Sequence, residues 1–540
     1  MKRICSIALV IAILCTLLSS CKKSSKKEGP GTGSSISYSL VTEPQNLDPQ
    51  TSNDAGSALL IRNIFEGLVR ADEYGNAKPG VAESWENNEN YTSYTFHLRS
   101  NALWSDGTPV TSKDFLFAWR RAIMPVTSAA NVAQFFCIKN AQDINEGKKG
   151  IDTLGVQAPD DYTLKVELNY PFSDFPIHIS QIPFMPCNEA FFSTTKGKYG
   201  LDDNMVLSNG PYYMNDKSWV HDERIRIHYN KNYNGPQGKA YPKSVLFVIR
   251  KPGTDYYTLI SSGTVDAAAI PAAQAEQALN SNLTCIKYAD TTWGLVFNTG
   301  AGVLSNLKIR QSFVRSIDST AYEAGIPKYT EMAYDIIPPA TRLNGKLYRE
   351  LAGSGYKVKF DAKTARLSYD SGLIELGRLE LPKVTVLCPD DNNSKYMMQG
   401  LIQCWQDALA CYINLQVLPM EEIKTRILTG DYQMALYPLA PTRDGPLNCL
   451  NTFRSSAYYN PSKFKHTAYD LLLDQAASAS ATDTAINNII AAEKYLNDYA
   501  AFYPMYYESK YYLIQKKVSG ISFAPFDGVA DFSKARKEAS

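Results

Sequence analysis

Hydrophobic spacing divides the chain into a long series of short elements. Residues 36–41 alternate apolar and polar and predict the first strand. Residues 57–69 read as a helix. Tyr94, Phe96 and Leu98 alternate with Thr95, His97 and Arg99, the period-2 pattern of a half-buried strand. Ser105-Asp106-Gly107-Thr108-Pro109 is a turn, with Gly supplying positive φ and Pro fixing the exit. A helix then starts at Thr111 or Ser112, with Asp114 near its positive end. Residues 160–168 predict a turn and strand, and residues 245–249 a buried strand. Residues 255–262 predict a short helix closed by Gly263, and residues 265–270 the strand after it. From residue 384 the periods switch regularly between strand and helix. Strands fall at 384–387, 413–417 and 432–437. Between them lie a helix at 394–410, with Met397, Leu401, Cys404, Trp405 and Ala408 on one face, and another at 421–428 ending at Gly430. This β-α-β-α-β order implies a mainly parallel, helix-covered sheet. Residues 482–500 form a last amphipathic helix.

Composition narrows the class. The 540 residues are 44% hydrophobic and 20% charged, enough for two to four lobes. Lys and Arg number 55 against 54 Asp and Glu, so no basic surplus exists to neutralise phosphates and nucleic acid is not a partner. The N-terminus has the layout of a secretory signal. Lys2 and Arg3 precede an apolar run at 4–18, too short for a membrane span. The run ends Leu18-Ser19-Ser20-Cys21, which resembles a bacterial lipobox and implies lipidation of Cys21 after removal of residues 1–20. Acyl chains bury at ~0.8 kcal/mol per CH₂, so several hold a soluble body on the bilayer. Residues 21–35, rich in Lys, Ser and Gly, are a flexible tether. The mature body keeps seven further cysteines without zinc spacing: Cys137, Cys187, Cys285, Cys388, Cys404, Cys411 and Cys449.

A series of words in fixed order carries a resemblance. Glu66-Gly67-Leu68 is followed by Pro79-Gly80-Val81-Ala82-Glu83-Ser84-Trp85, Phe96-His97-Leu98-Arg99 and Trp104-Ser105-Asp106-Gly107-Thr108-Pro109-Val110. Earlier stands Glu43-Pro44-Gln45-Asn46-Leu47-Asp48-Pro49, and later Asn209-Gly210-Pro211-Tyr212. Together they resemble the oligopeptide- and dipeptide-binding proteins, the extracytoplasmic solute-binding components of ABC importers. The resemblance implies an α/β fold of the periplasmic-binding-protein type II class (cluster C), with two lobes, a hinge and an extra inserted domain. Lobe I is expected from 36–55, 181–289 and 501–540, the inserted domain from 56–180, and lobe II from 290–500. The implied protein is a monomeric, membrane-anchored envelope receptor facing the periplasm or the exterior. It would take peptides into an interlobe cleft and pass them to ABC permease subunits.

The residues themselves offer little for catalysis. There is no GxSxG, HExxH, Walker or GxGxxG motif. The five His stand apart, and the paired acids sit in polar turns and helix starts. The expectation is a binder without metal or cofactor. By the resemblance Glu43 lines the cleft, and Trp293 and Tyr506 are further candidates. In oligopeptide binders a stretch matching residues 432–453 carries an Asp that holds the peptide amino terminus, preceded by Trp and Arg. Anchored on Leu450-Asn451-Thr452, these positions fall on Thr442, Leu439 and Leu436. Either the loop is shifted and Asp444, beside Arg443, takes the role, or that anchor is absent. Arg443 and Asp444 could then clamp the carboxylate and ammonium of a short or atypical peptide, such as a γ-glutamyl or cell-wall peptide. The departure at Thr442 keeps open a non-peptide solute (metal chelate, haem or sugar). A surface adhesin or chaperone built on the same fold is the reading from another class.

Overall fold

The computed structural model describes residues 33–538, apart from 73–75, 237, 252, 354, 480 and 527. The signal segment, Cys21 and most of the tether lie outside the described residues.

One twelve-stranded sheet runs through both lobes. On one side, Ile413–Leu418, Val384–Pro389 and Met434–Leu439 are mutually parallel, as the alternating periods require. The helices Asn392–Leu409 and Met420–Thr429 connect them, the second closed by Gly430 at φ 82°. On the other side, Ile36–Leu40 lies parallel between Ser244–Ile249 and Ala267–Ile270. Two long antiparallel strands, Thr284–Phe297 and Phe502–Ile514, join the halves. Their register slips between Ala289 and Thr291 and again between Trp293 and Gly294. Gly294 is required there, because a Cβ would sit 2.3 Å from the Tyr503 carbonyl oxygen.

Apolar burial follows the same division. One core packs Ile36, Tyr38 and Phe247 with the C-terminal Phe523 and Phe532 and with Phe96, Trp104 and Trp119. Two others pack the second lobe, around Phe313 and Trp405 and around Tyr469 and Phe502. Within the first core a separate four-stranded sheet orders Ala82–Asn87, Ser93–Leu98, Thr163–Glu167 and Val156–Asp160. The helix Ser112–Ile123 packs on it, started by Thr111, whose N–H donates to Asp114 at 2.7 Å.

The residues of the shared words bind one another. Arg99 donates to the Glu66 carboxylate at 2.8 Å and to the Gly80 carbonyl at 2.8 Å. Asn209 exchanges two hydrogen bonds with the Glu66 backbone. Gly210 presses on Ile64, where a Cβ would stand 2.7 Å from the carbonyl carbon. These contacts explain why the helix expected over 57–69 stops at Ile64. Glu66 must turn its backbone out of the helix to reach Asn209, and the chain continues as the strand Val69–Ala71. The seven described cysteines are all free, five of them buried.

Candidate functional site

The lobes meet around residues 442–445. This segment leaves the carboxyl end of Met434–Leu439, the end of a parallel sheet where ligands are commonly held. Gly445, at φ 106°, turns it into the helix Pro446–Asn451. Asp444 Oδ1 accepts the N–H groups of Arg342 at 2.6 Å and Gly445 at 2.7 Å. Asn448 donates to the Arg443 carbonyl at 2.9 Å. The loop is therefore fixed by its own polar groups before any ligand arrives.

Two cavities flank it. The smaller, about 110 Å³, lies between this loop, Arg62 and Arg70, Ser180 and Gln181, and the 522–526 loop. The larger, about 500 Å³, lies between it and Trp85, Asp174, Arg342 and Thr482. Ile177, Arg443 and Asp444 line both. Several contacts close the cleft around them. Gln181 donates to the Thr442 hydroxyl at 3.2 Å, Arg454 sits over Tyr170, and Phe136 packs on Tyr458.

Arg443 is the unusual member. Its side chain is 7% exposed, and its nearest anionic partner is Asp174, with Nη1 to Oδ2 at 3.7 Å. That is an ion pair too long to be a hydrogen bond. Its Cζ lies over the Phe172 ring, 5.5 Å from the centroid. Nε and Nη1 are buried without a hydrogen-bond partner among the described residues. Burial pulls the guanidinium pKa below its ordinary value, with Asp174 opposing. Burial likewise pushes the Asp444 carboxyl up to about 6, against the backbone N–H groups of Arg342 and Gly445. The pair offers a desolvated cation with free N–H groups next to a carboxylate whose Oδ2 accepts from none of the described groups.

Of the residues expected from the sequence, Thr442, Arg443 and Asp444 come together here. The other three lie apart and line neither cavity. Glu43 accepts from Trp219 Nε1 at 2.6 Å, His221 Nδ1 at 2.7 Å and the Asp222 N–H at 2.9 Å. Burial raises its pKa, but these donors outweigh it and hold the carboxyl below its ordinary value. Trp293 and Tyr506 face each other across the two joining strands, stacked at 5.8 Å, and Trp293 Nε1 donates to Glu508 at 2.6 Å. Sequence reasoning did not reach Gln181, Asp174 or Arg342. Nothing local marks them, since they meet the loop from residues far away in the chain. No group of three or more His, Cys, Asp or Glu is placed to hold a metal ion among the described residues.

The model of bacterial extracellular solute-binding proteins, family 5 Middle, matches residues 76–461. The chain belongs to this family. It is 27% identical over 538 residues to the oligopeptide-binding protein OppA of Bacillus subtilis (strain 168), covering 96% of this chain and 97% of that one. It is 27% identical over 493 residues to the periplasmic murein peptide-binding protein MppA of Escherichia coli (strain K12), covering 89% of each. The substrate-binding domain of an oligopeptide ABC transporter from Bacillus anthracis str. Ames superposes with a TM-score of 0.68 at 26% identity, over 94% of this chain and 99% of that one. Its fold is therefore that of a two-lobed type II binding protein, and its family is one of solute-binding receptors rather than enzymes.

Proposed function

We propose that this protein is a lipid-anchored receptor of an ABC importer that captures peptides between its lobes and delivers them to the permease. The observation that carries this reading is Arg443, a desolvated guanidinium whose Nε and Nη1 have no hydrogen-bond acceptor among the described residues, on a loop between two cavities. Retaining such a group is unfavourable unless a ligand oxygen completes it. Asp444 Oδ2 stands beside it for a ligand ammonium, so one zwitterionic ligand can satisfy both. Capture between lobes is then hinge closure about the two joining strands. The names of the similar OppA and MppA proteins, which bind oligopeptides and murein peptides, support peptide as the class. Thr442 in place of the expected Asp favours a short or atypical peptide, with its amino group away from the usual position. Lipidation at Cys21 supplies attachment, and tethering keeps the receptor within reach of the permease.

Calorimetry and thermal unfolding with a tri- to pentapeptide library test the reading. A peptide present at 100 times its Kd raises stability by ~2.7 kcal/mol. Stabilisation by a sugar, haem or metal chelate with no response to any peptide refutes peptide capture. Labelling with a radioactive fatty acid, abolished by Cys21→Ala, tests the anchor.

A further inference from the structure

Gln181 stands where the turn after Phe175–His178 enters the smaller cavity, and it is 7% exposed. Its Nε2 donates to the Thr442 hydroxyl across the cleft at 3.2 Å. Its Oε1 is buried and accepts no hydrogen bond among the described residues. A buried carbonyl oxygen without a donor is rare in folded proteins, and where one occurs it calls for an explanation. The same cavity is lined by Arg443, whose Nε and Nη1 lack acceptors. One wall thus presents an unpaired acceptor and unpaired donors together.

We propose that Gln181 is a specificity-determining residue that reads one backbone amide of a bound peptide. Its Oε1 accepts the ligand N–H, while Arg443 donates to a ligand oxygen. This rests on the reading of the cleft as a peptide site. The choice of a neutral N–H over an ammonium follows from the neighbours. Gln181 carries no charge, Thr442 contributes a hydroxyl, Asp531 is taken by Arg70 at 2.8 Å and the Ser533 N–H at 2.7 Å, and Asp72, which also lines this cavity, accepts the Asn76 N–H at 2.8 Å and pairs with Lys78 at 3.5 Å. Asp444 Oδ2 is left for the ammonium. The hydrogen bond to Thr442 also makes the reading conditional on closure. Thr442 belongs to the opposite lobe, so the amide is held in place only when the lobes meet. The consequence for the ligand is definite: at one position an N–H is preferred, and proline, N-methylation or an ester linkage there is disfavoured.

The test uses the tightest-binding member of the tri- to pentapeptide library and its ester analogues, each replacing one amide N–H by oxygen. In the wild-type receptor one analogue binds roughly two- to tenfold more weakly than the others, the size of one neutral hydrogen bond. In Gln181→Met that analogue loses nothing beyond the parent peptide. Thr442→Val, an exposed change that frees the amide from the other lobe, lowers the same discrimination and serves where Gln181→Met fails to fold. Equal ester penalties in the wild type and both variants overturn the role of Gln181 while the receptor reading stands. A library with no binder overturns both.

Discussion

Replacing Arg443 by Met separates a ligand-binding cation from a structural one, because the two predict opposite changes in stability. In the unliganded protein, the guanidinium gains from Phe172 and Asp174. A cation facing an aromatic ring contributes about 0.5–2 kcal/mol. A long ion pair to a carboxylate that is 35% exposed contributes about 0–1 kcal/mol. Against this stand two buried nitrogens without acceptors, at about 1–3 kcal/mol each. Met is apolar, adaptable and of similar length, so it fills the space without the unpaired donors. Midpoints of these ranges leave the unliganded variant about 2 kcal/mol more stable than the wild type. In the complex the balance reverses, since a hydrogen bond from a charged group contributes about 1.5–3 kcal/mol. Affinity for the best library peptide should fall roughly ten- to a hundredfold. Urea unfolding without ligand and calorimetry with it measure the two effects on the same preparation. A variant that is less stable than the wild type and binds within twofold refutes the reasoning, and makes Arg443 a structural bridge to residues 172–174.

Three further outcomes follow from neighbouring groups. Asp444→Asn removes the carboxylate proposed to hold the ligand ammonium. Burial pushes that carboxyl up to about 6, so wild-type affinity falls as pH drops below about 6 while the variant binds weakly at every pH; identical calorimetric pH profiles would exclude the contact. Glu66→Ala strips a carboxylate that is 1% exposed; Arg70 keeps Asp531 at 2.8 Å, but Arg99 loses its carboxylate and the Tyr233 hydroxyl its acceptor, which costs about 3–5 kcal/mol of stability in urea unfolding, with peptide affinity unchanged; a change below 1 kcal/mol would show that the word Glu66-Gly67-Leu68 does not hold the fold. His178 is pushed down to about 3 by burial, with Arg443 adding to the effect, and its Nε2 bonds the Gln134 carbonyl at 2.8 Å. The unfolded chain takes up a proton below about 6.5 and the folded one does not, so His178 removes stability as pH falls through that range, by roughly 1.4 kcal/mol per unit. The stability difference between His178→Phe and the wild type should shift by roughly 2 kcal/mol in the variant's favour from pH 7 to pH 5; a constant difference would mean that the folded protein also protonates His178.

What was legible in the sequence divides along the same physical line. Arg99, Glu66, Asn209 and Gly210 belong to the words, and in the fold they satisfy one another. The strands and helices between 384 and 439 are legible for a simpler reason: each helix buries one face and shows its period, and the strands Val384–Pro389 and Met434–Leu439, buried on both faces, stand out as short apolar runs between them. The helix over 57–69 was overextended because its end is set by a partner 143 residues away, not by a local stop signal. Glu43 shows how little a short word says about surroundings. An acid before a proline looks the same whether it faces a ligand or, as here, Trp219 and His221. The candidate site is harder still. Arg443 and Asp444 stand out as a charged pair, but what distinguishes Arg443 is that its buried Nε and Nη1 have no hydrogen-bond acceptor among the described residues. Gln181 enters the site only through a hydroxyl 261 residues later. A motif records contacts that a fold completes within itself, whereas a binding site consists of the contacts left incomplete. Such gaps leave no pattern along the chain and become visible only when the surrounding groups are placed and each donor and acceptor is accounted for.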